Sequence, residues 1–283
     1  MRNIIITGAN GKLSCKVALW LKVKDRFNVK QMSLRGNWQG YDFSNTYSII
    51  HIAGVTPQNA KNDSDYKKIN YELTKELSAK AKVCGVKHFV YVSSMAVYGI
   101  KQSIDPKNGT VDENTLCVPQ SEYGKSKLAA EEYLRTLRDE NFKVCIIRVP
   151  SIFDSEKTEY IDQYKYLASK LPVIPKCFTK NYKSFIHSDN LCELIYLAID
   201  SDYDGTICPD DGRFSAFDVC KAIYPKKLKS RLLGRIIELV LKNNSRVEDY
   251  YGTVCYNETS TGVFDGKYRV TDTLNAIRKL YEE

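Results

Sequence analysis

The stretch "NIIITGANGKLSCKVALWL", residues 3–21, decides the fold. Three isoleucines and a threonine make a short β-branched run that ends at a glycine, and "ANGKLSCKVALWLKVK" beyond it spaces its apolar residues as an amphipathic helix does. A strand running through a glycine-rich turn into a helix can set backbone N–H groups and the helix N-terminus against a pyrophosphate. Gly8 and Gly11 hold the first two glycine positions of such a turn. Ser14 holds the third, where a small side chain still lets helix and strand lie close, though less freely than glycine would. "FNVKQMSL" (27–34) reads as a second strand and completes a β-α-β unit.

The alternation continues outward from there. "YSIIHIAG" (47–54), "KHFVYVSS" (87–94) and "KVCIIRV" (143–149) read as buried strands. "DYKKINYELTKELSAKAKVCG" (65–85) reads as a helix with Tyr66, Ile69, Leu73, Leu77 and Ala81 in one stripe and Gly85 as its C-cap. Strands alternating with helices predict an α/β fold, a Rossmann-type doubly wound parallel sheet covered on both faces. After Pro150 the rhythm loosens, and the later segments read as a smaller second lobe. The expected division gives 1–155, with segments around 183–200, to the dinucleotide-binding domain and 156–283 mainly to the smaller C-terminal lobe.

A chain of 283 residues with 43% hydrophobic and 27% charged residues can build one large α/β domain or a domain plus a lobe. Its longest apolar runs fall far short of the roughly 20 residues a span needs, and the N-terminal run is too short for a secretory signal, so a cytoplasmic protein without stable membrane insertion is expected. The nine cysteines are scattered without a C-x-x-C pair, and there are only three histidines. Reduced, mostly buried thiols and no metal are expected. The net charge of +8 suits nucleic acid, an acidic membrane surface or a phosphorylated ligand equally and does not choose among them.

Two features speak to chemistry. In "EYGKSKLAAEEYL" (122–134), Tyr123 and Lys127 stand at i and i+4, one above the other on a helix and about 6 Å apart along its axis, so they can act on one small object. After the second strand, where an NAD site usually offers a carboxylate to the ribose, "NVKQMSLRG" offers Ser33 and Arg35 instead. A hydroxyl and a guanidinium suit a 2′-phosphate, which favours NADP(H) and leaves NAD(H) open.

Together, "TGANGKLS", "HIAG" (51–54), "YVSSMAVYG" (91–99), "YGKSK" (123–127), "IRVPSIF" (147–153) and "FIHSDNL" (185–191) resemble, in order and spacing, the extended short-chain dehydrogenases/reductases, the NAD-dependent epimerase/dehydratase family of nucleotide-sugar 4-epimerases and 4-keto-sugar reductases. The resemblance implies Ser94 as hydroxyl partner, Tyr123 as acid/base and Lys127 as its activator. It assigns cofactor contacts to Gly8, Asn10, Gly11, Lys12, Leu13, Ser33, Arg35, Asp42, Phe43, Ala53, Gly54, Tyr123, Lys127, Pro150 and Ile152, with Asp42 and Phe43 at the adenine and the backbone after Pro150 at the carboxamide. Substrate contacts fall to Thr56, Ser94, Met95, Tyr123 and Arg246. The segment "RGNWQGYDFSNTYS" (35–48) departs from the family pattern, being too short for a further helix and strand, so the third strand is expected to be lost or shrunken.

The chemistry expected is proton transfer by Tyr123, whose phenolate a lysine ammonium one turn away would favour, coupled to hydride exchange at a sugar carbon. The absent ribose-binding acid tips the reading toward reduction of a 4-keto (6-deoxy) nucleotide sugar for surface-polysaccharide precursors. A 4-epimerase of UDP-hexoses or UDP-N-acetylhexosamines is the alternative, and a non-catalytic dinucleotide-binding module a further one. The partner expected is a nucleotide sugar rather than nucleic acid, with a homodimer left open. The basic stretch "KKLKSRLLGRIIELVLK" (226–242) is expected to pack its apolar side into the lobe and to turn some cations to the substrate diphosphate, with an interfacial membrane helix as the reading weighed against it.

Overall fold

The computed structural model describes residues 1–154, 159–241, 245–257 and 262–282. They form two compact units, the first made of Met1–Gly99, Thr115–Val149 and Leu191–Cys208, the second of Ile100–Asn114, Pro150–Asn190 and Pro209–Glu283.

The first unit is built on a six-stranded parallel sheet. Its strands are β1 (Arg2–Thr7), β2 (Phe27–Met32), β3 (Ser48–His51), β4 (His88–Ser94), β5 (Lys143–Val149) and β6 (Gly205–Ile207), in the order β6-β5-β4-β3-β1-β2. Alternate residues of each strand point to opposite faces. Ile5, Ile49, Phe89, Tyr91, Val144 and Ile146 meet Leu77 and Ala81 of the helix after β3, and Ala130 and Leu134 of the helix Glu122–Leu137, in one buried cluster. Ile4, Ile6, Ile50, Val90 and Ile147 are buried as well. The helices Lys12–Val23 (α1) and Ser188–Asp200 are tied together by the Trp20 Nε1 bond to Glu193, at 2.7 Å. The doubly wound architecture read from the alternation is therefore the one found.

The edge beyond β2 carries no further strand, and residues 33–47 fold as turns with one 3₁₀ turn, Trp38–Gly40. Buried Trp38 and Phe43 close the core there in place of the missing strand. The helix after β3 differs from its predicted stripe. It starts at Asp63–Asp65, passes through a π-helical segment at Tyr66–Glu72 and continues as Leu73–Val83. The wider turn rotates the inward face, so Asn70 and Thr74 are buried where Ile69 and Leu73 were expected. Gly85 closes this helix at φ +83°, as predicted.

In the second unit, Lys183–His187 lies between Ser151–Phe153 and Arg213–Phe214 in a three-stranded sheet. That pairing draws residues 183–190 into this unit, although the sequence grouped them with the dinucleotide-binding domain. The late strand Cys255–Tyr256 pairs in parallel with Thr110–Val111. Phe153, Ile161, Tyr164, Val219, Ile223 and Ile277 form part of its core.

The basic helix Arg231–Leu241 departs from expectation. Its inward side is Gly234, Ile237, Glu238 and Leu241, with Ile237 and Leu241 against the Cys177–Phe178 cluster and Glu238 Oε1 accepting from Phe178 N at 2.6 Å. Leu232, Ile236, Leu239 and Val240 are exposed. The reason is that apolar residues run nearly all round this helix, and only one side can pack. Among the described residues no helix is long and apolar enough to cross a membrane. All nine cysteines carry free thiols, six of them buried.

Candidate active site

The residues singled out by the motifs gather at the C-terminal ends of the first unit's strands, the usual place for a ligand in an open parallel sheet. Ser94 ends β4, and its Oγ accepts from Ala96 N at 3.1 Å, starting the 3₁₀ turn Met95–Tyr98. Ser121 caps the helix Glu122–Leu137, its Oγ accepting from Gly124 N at 3.1 Å. Gly124 lets this helix approach the turn after Ser94, since a Cβ there would stand 2.6 Å from Ala96 O and 2.9 Å from Pro119 Cβ. The approach sets Tyr123 near Ser94, whose hydroxyl acts on the phenol's pKa.

Electrostatics at the pair differ from the simple picture of lysine activating tyrosine. Burial raises the Tyr123 pKa, the Ser94 hydrogen bond draws it down, and Tyr66, whose ring packs edge-on at 5.9 Å, raises it again. The Lys127 ammonium is buried, donates to Val92 O at 2.9 Å and lies 4.8 Å from the centre of the Tyr91 ring. Burial lowers its pKa to about 8, against the pull of Glu131 one turn further on. Glu131 is itself fully buried and is gripped by Arg148, with NH2 to Oε2 at 2.8 Å, and by Ser93 at 2.5 Å.

Sequence reading missed the layer beneath the pair. Asn70 Oδ1 accepts from Val55 N at 2.8 Å, while Nδ2 donates to Val55 O at 3.0 Å and Ser126 Oγ at 3.2 Å. Asn70 thereby ties the loop after β3 to the helix that carries Tyr123. Beside it, Thr74 Oγ1 donates to Asn70 O at 2.7 Å, leaving that oxygen to accept from His51 Nε2 at 2.8 Å. Thr7 Oγ1 accepts from Ile52 N and Ala53 N, so its proton goes to His51 Nδ1, also at 2.8 Å. This accounting fixes a neutral imidazole with its proton on Nε2. Burial and the nearby Lys127 agree, lowering the His51 pKa to about 3.

The phosphate turn fits a dinucleotide. Gly8 has φ +87°, and Gly11 N donates to Gly8 O at 2.8 Å. The helix beyond has no side-chain cap bond and no acid in its first turn, so the positive end of its dipole meets no competing charge there. Ser14 in the third glycine position is buried, and its Oγ bonds Gly8 O and Gly11 O, stitching the turn from inside. Gln31 Nε2 supports the same turn from β2 by donating to Ala9 O at 3.1 Å. A Cβ on Gly54 would come within 2.8 Å of Asn70 Oδ1 and 3.6 Å of Lys127 Nζ, so glycine keeps this floor open beside Ala53.

The remaining candidates are placed as follows. Ser33 and Arg35 are exposed after β2, with Ser33 Oγ accepting from Arg35 N at 3.2 Å. Asp42 is engaged by Ser44 N at 2.8 Å, which with the Ser44 hydroxyl lowers its pKa. The Phe43 ring is wholly buried in the core, 5.0 Å from that of Tyr41, which leaves its backbone to meet an adenine. Asn10 and Thr56 are exposed in their loops, and Met95 is buried directly after Ser94. Pro150 and Ile152 open the second unit, with Ile152 on the strand Ser151–Phe153. Arg246 falls on the helix Ser245–Tyr251, and its side chain lies outside the described residues.

Comparison with known proteins agrees with this geometry. The profile of the NAD dependent epimerase/dehydratase family matches residues 42–207. A UDP-glucose 4-epimerase of Vibrio cholerae is 28% identical over 162 residues, 55% of this chain and 48% of that protein. An N-acetyl-alpha-D-glucosaminyl-diphospho-ditrans,octacis-undecaprenol 4-epimerase of Escherichia coli O157:H7 is 30% identical over 169 residues, 58% of this chain and 47% of that protein. The chain thus spans about half the length of these curated relatives. The UDP-Glc/GlcNAc 4-epimerase from Campylobacter jejuni superposes with a TM-score of 0.71 at 18% identity, covering 99% of this chain and 98% of that one, a likeness of fold.

Proposed function

The chain belongs to the NAD dependent epimerase/dehydratase family, and from that premise we propose that it is an NAD(P)-dependent enzyme acting at C4 of a diphosphate-linked sugar, with 4-epimerisation as its reaction. The reading is carried by Tyr123 at the start of its helix, with Ser94 acting on its phenol and Lys127 buried one turn away. Ser94 donates to the sugar O4 and holds it beside the phenol. Tyr123 gives its proton to that oxygen when a ketone is reduced and takes it back when an alcohol is oxidised. Its raised pKa keeps the phenol protonated in the free protein, so the oxidative half of epimerisation requires that proton to leave first, which the positive charge of a bound oxidised nicotinamide would favour. Gly8, Gly11 and the first turn of α1 hold the dinucleotide phosphates, and Lys127 the ribose next to the nicotinamide. A nicotinamide dinucleotide held there would supply the hydride acceptor and donor that inversion at C4 needs.

Epimerisation is favoured because the two sequence relatives described above are named as 4-epimerases, one of a nucleoside-linked sugar and one of a polyprenol-linked sugar. Either carrier offers the diphosphate that the family resemblance calls for, and the product would feed surface-polysaccharide assembly from the cytoplasm. A second reading, NADPH-dependent reduction of a 4-keto-6-deoxy nucleotide sugar, is favoured by Ser33 and Arg35 standing where a ribose-binding carboxylate would.

The test incubates the protein with NAD and, separately, UDP-glucose, UDP-N-acetylglucosamine and undecaprenyl-diphosphate N-acetylglucosamine. A parallel series supplies NADPH and 4-keto-6-deoxy nucleotide sugars. A new 4-epimer without net change in nicotinamide absorbance is the expected result. Stoichiometric NADPH consumption with the keto sugars alone would establish the second reading instead. Cofactor binding without turnover in either series would reduce the protein to a binding module.

A further inference from the structure

We propose that the helix Arg231–Leu241 docks the protein peripherally on an anionic lipid surface. On this helix one side is fixed inward, because a Cβ on Gly234 would meet the backbone of Lys176 and because Glu238 bonds Phe178 N. The opposite side presents Leu232, Ile236, Leu239 and Val240 at i, i+4, i+7 and i+8, which share one face. These residues are 73%, 48%, 72% and 70% exposed, and Leu228, just before the helix, is 75% exposed. Solvent gives no reason for such a face, and contiguous apolar patches of this kind mark interaction sites.

Charge identifies the occupant. Residues 219–247 carry eight cations, Lys221, Lys226, Lys227, Lys229, Arg231, Arg235, Lys242 and Arg246, and one acid, Glu238, which is turned inward and bonded. Lys226, Lys229, Arg231 and Arg235 are exposed around the apolar face. Leucines flanked by lysine and arginine are what a headgroup layer takes up, the apolar side chains at the acyl boundary and the cations against lipid phosphates. Nucleic acid would use the cations but leave the leucines without a partner. A second copy of the chain fits poorly. Five such side chains present on the order of 400–500 Å², about half of what each partner of a stable dimer buries, and a two-fold contact would set each copy's Arg231 and Arg235 against the other's.

The helix spans only 11 residues, so the association is reversible and depends on salt. It is independent of the reaction proposed above.

Co-sedimentation of the full chain with phosphatidylcholine vesicles, with and without phosphatidylglycerol, tests it. Binding is expected only to the vesicles containing phosphatidylglycerol, and it should weaken as salt is raised. Leu232→Gln with Leu239→Gln should lower that binding at least tenfold. Arg231→Gln with Arg235→Gln should lower it roughly tenfold or more, from about 1 kcal/mol per surface cation. All four residues are exposed, so the circular-dichroism melt should be unchanged in both variants. Three results would overturn the proposal: no preference for anionic vesicles, unchanged binding by the leucine variant, or a dimer in sedimentation velocity that the leucine variant dissolves while vesicle binding is absent.

Discussion

At Tyr123 burial and the Ser94 hydrogen bond pull in opposite directions, and the raised pKa means that burial prevails in the free protein. Lys127 stands one turn away, buried, with one of its ammonium protons on Val92 O. The pair was legible because both residues sit within five positions of one helix. Asn70 was not, because the π-helical segment shifts its side inward and no local pattern announces such a segment. Asn70→Ala removes both partners of Val55 and the bond to Ser126, and we expect a loss of about 1–3 kcal/mol in urea unfolding from the buried groups left unpaired. Arg35 tests cofactor choice. If its guanidinium meets a 2′-phosphate, equilibrium titration should show NADPH bound more tightly than NADH, and Arg35→Ala should narrow the gap by roughly tenfold, the worth of one charge-assisted contact. Equal affinities in the unmodified protein would leave Arg35 a solvated loop residue.

At the scale of elements, the glycine turn, the alternation and the lost third strand could all be read from spacing and length alone. The filling of the vacant edge could not, since no periodicity marks Trp38 and Phe43, two aromatics in a stretch of turns, as core. The apolar side of Arg231–Leu241 was visible, but how much of it packs was not, as periodicity shows that a helix has an apolar face without showing what covers it. Gly124 offers a direct test of how the helix Glu122–Leu137 is seated. Alanine there gains up to about 1 kcal/mol in helix propensity, but its Cβ would stand 2.6 Å from the Ala96 carbonyl. Overpacking against backbone costs roughly 1–3 kcal/mol and outweighs that gain. Gly124→Ala should therefore lower stability in urea, and lower turnover by a larger factor because the Ser94–Tyr123 contact is displaced. A stabilised, fully active variant would mean that the helix is free to slide.

For the whole molecule, acid and base stability are set by groups in both units. Asp210 is buried, with its carboxylate bonded by Ser184 and Gly212 N, and burial lifts its pKa from 3.8 to about 7. Its contribution is fully present below the unfolded value and is lost as pH rises through the folded one. His51 runs the other way: its folded pKa of about 3 lies below the unfolded 6.5, so its contribution is present above 6.5 and is lost as pH falls toward 3. Asp210→Asn should remove the first dependence. Relative to the unmodified protein, the variant should gain about 1 kcal/mol per pH unit between about pH 5 and pH 7 in urea titrations. A parallel pair of pH profiles would show that Asp210 titrates normally.

Sequence pattern reached the sheet and the Tyr123–Lys127 pair, which lies within five positions of one helix, while Ser94 came from the family resemblance. It did not reach the Thr7–His51–Thr74–Asn70 chain, whose members are assembled by the fold from three separate segments. The most direct measurement replaces Tyr123 by phenylalanine, which deletes one oxygen, and follows single-turnover conversion of the accepted sugar with the dinucleotide saturating. Turnover should fall about 10²–10⁴-fold, the range for losing a positioned acid/base, while thermal melting and dinucleotide affinity stay near those of the unmodified protein. Near-normal turnover by that variant would contradict the assignment of proton transfer to Tyr123.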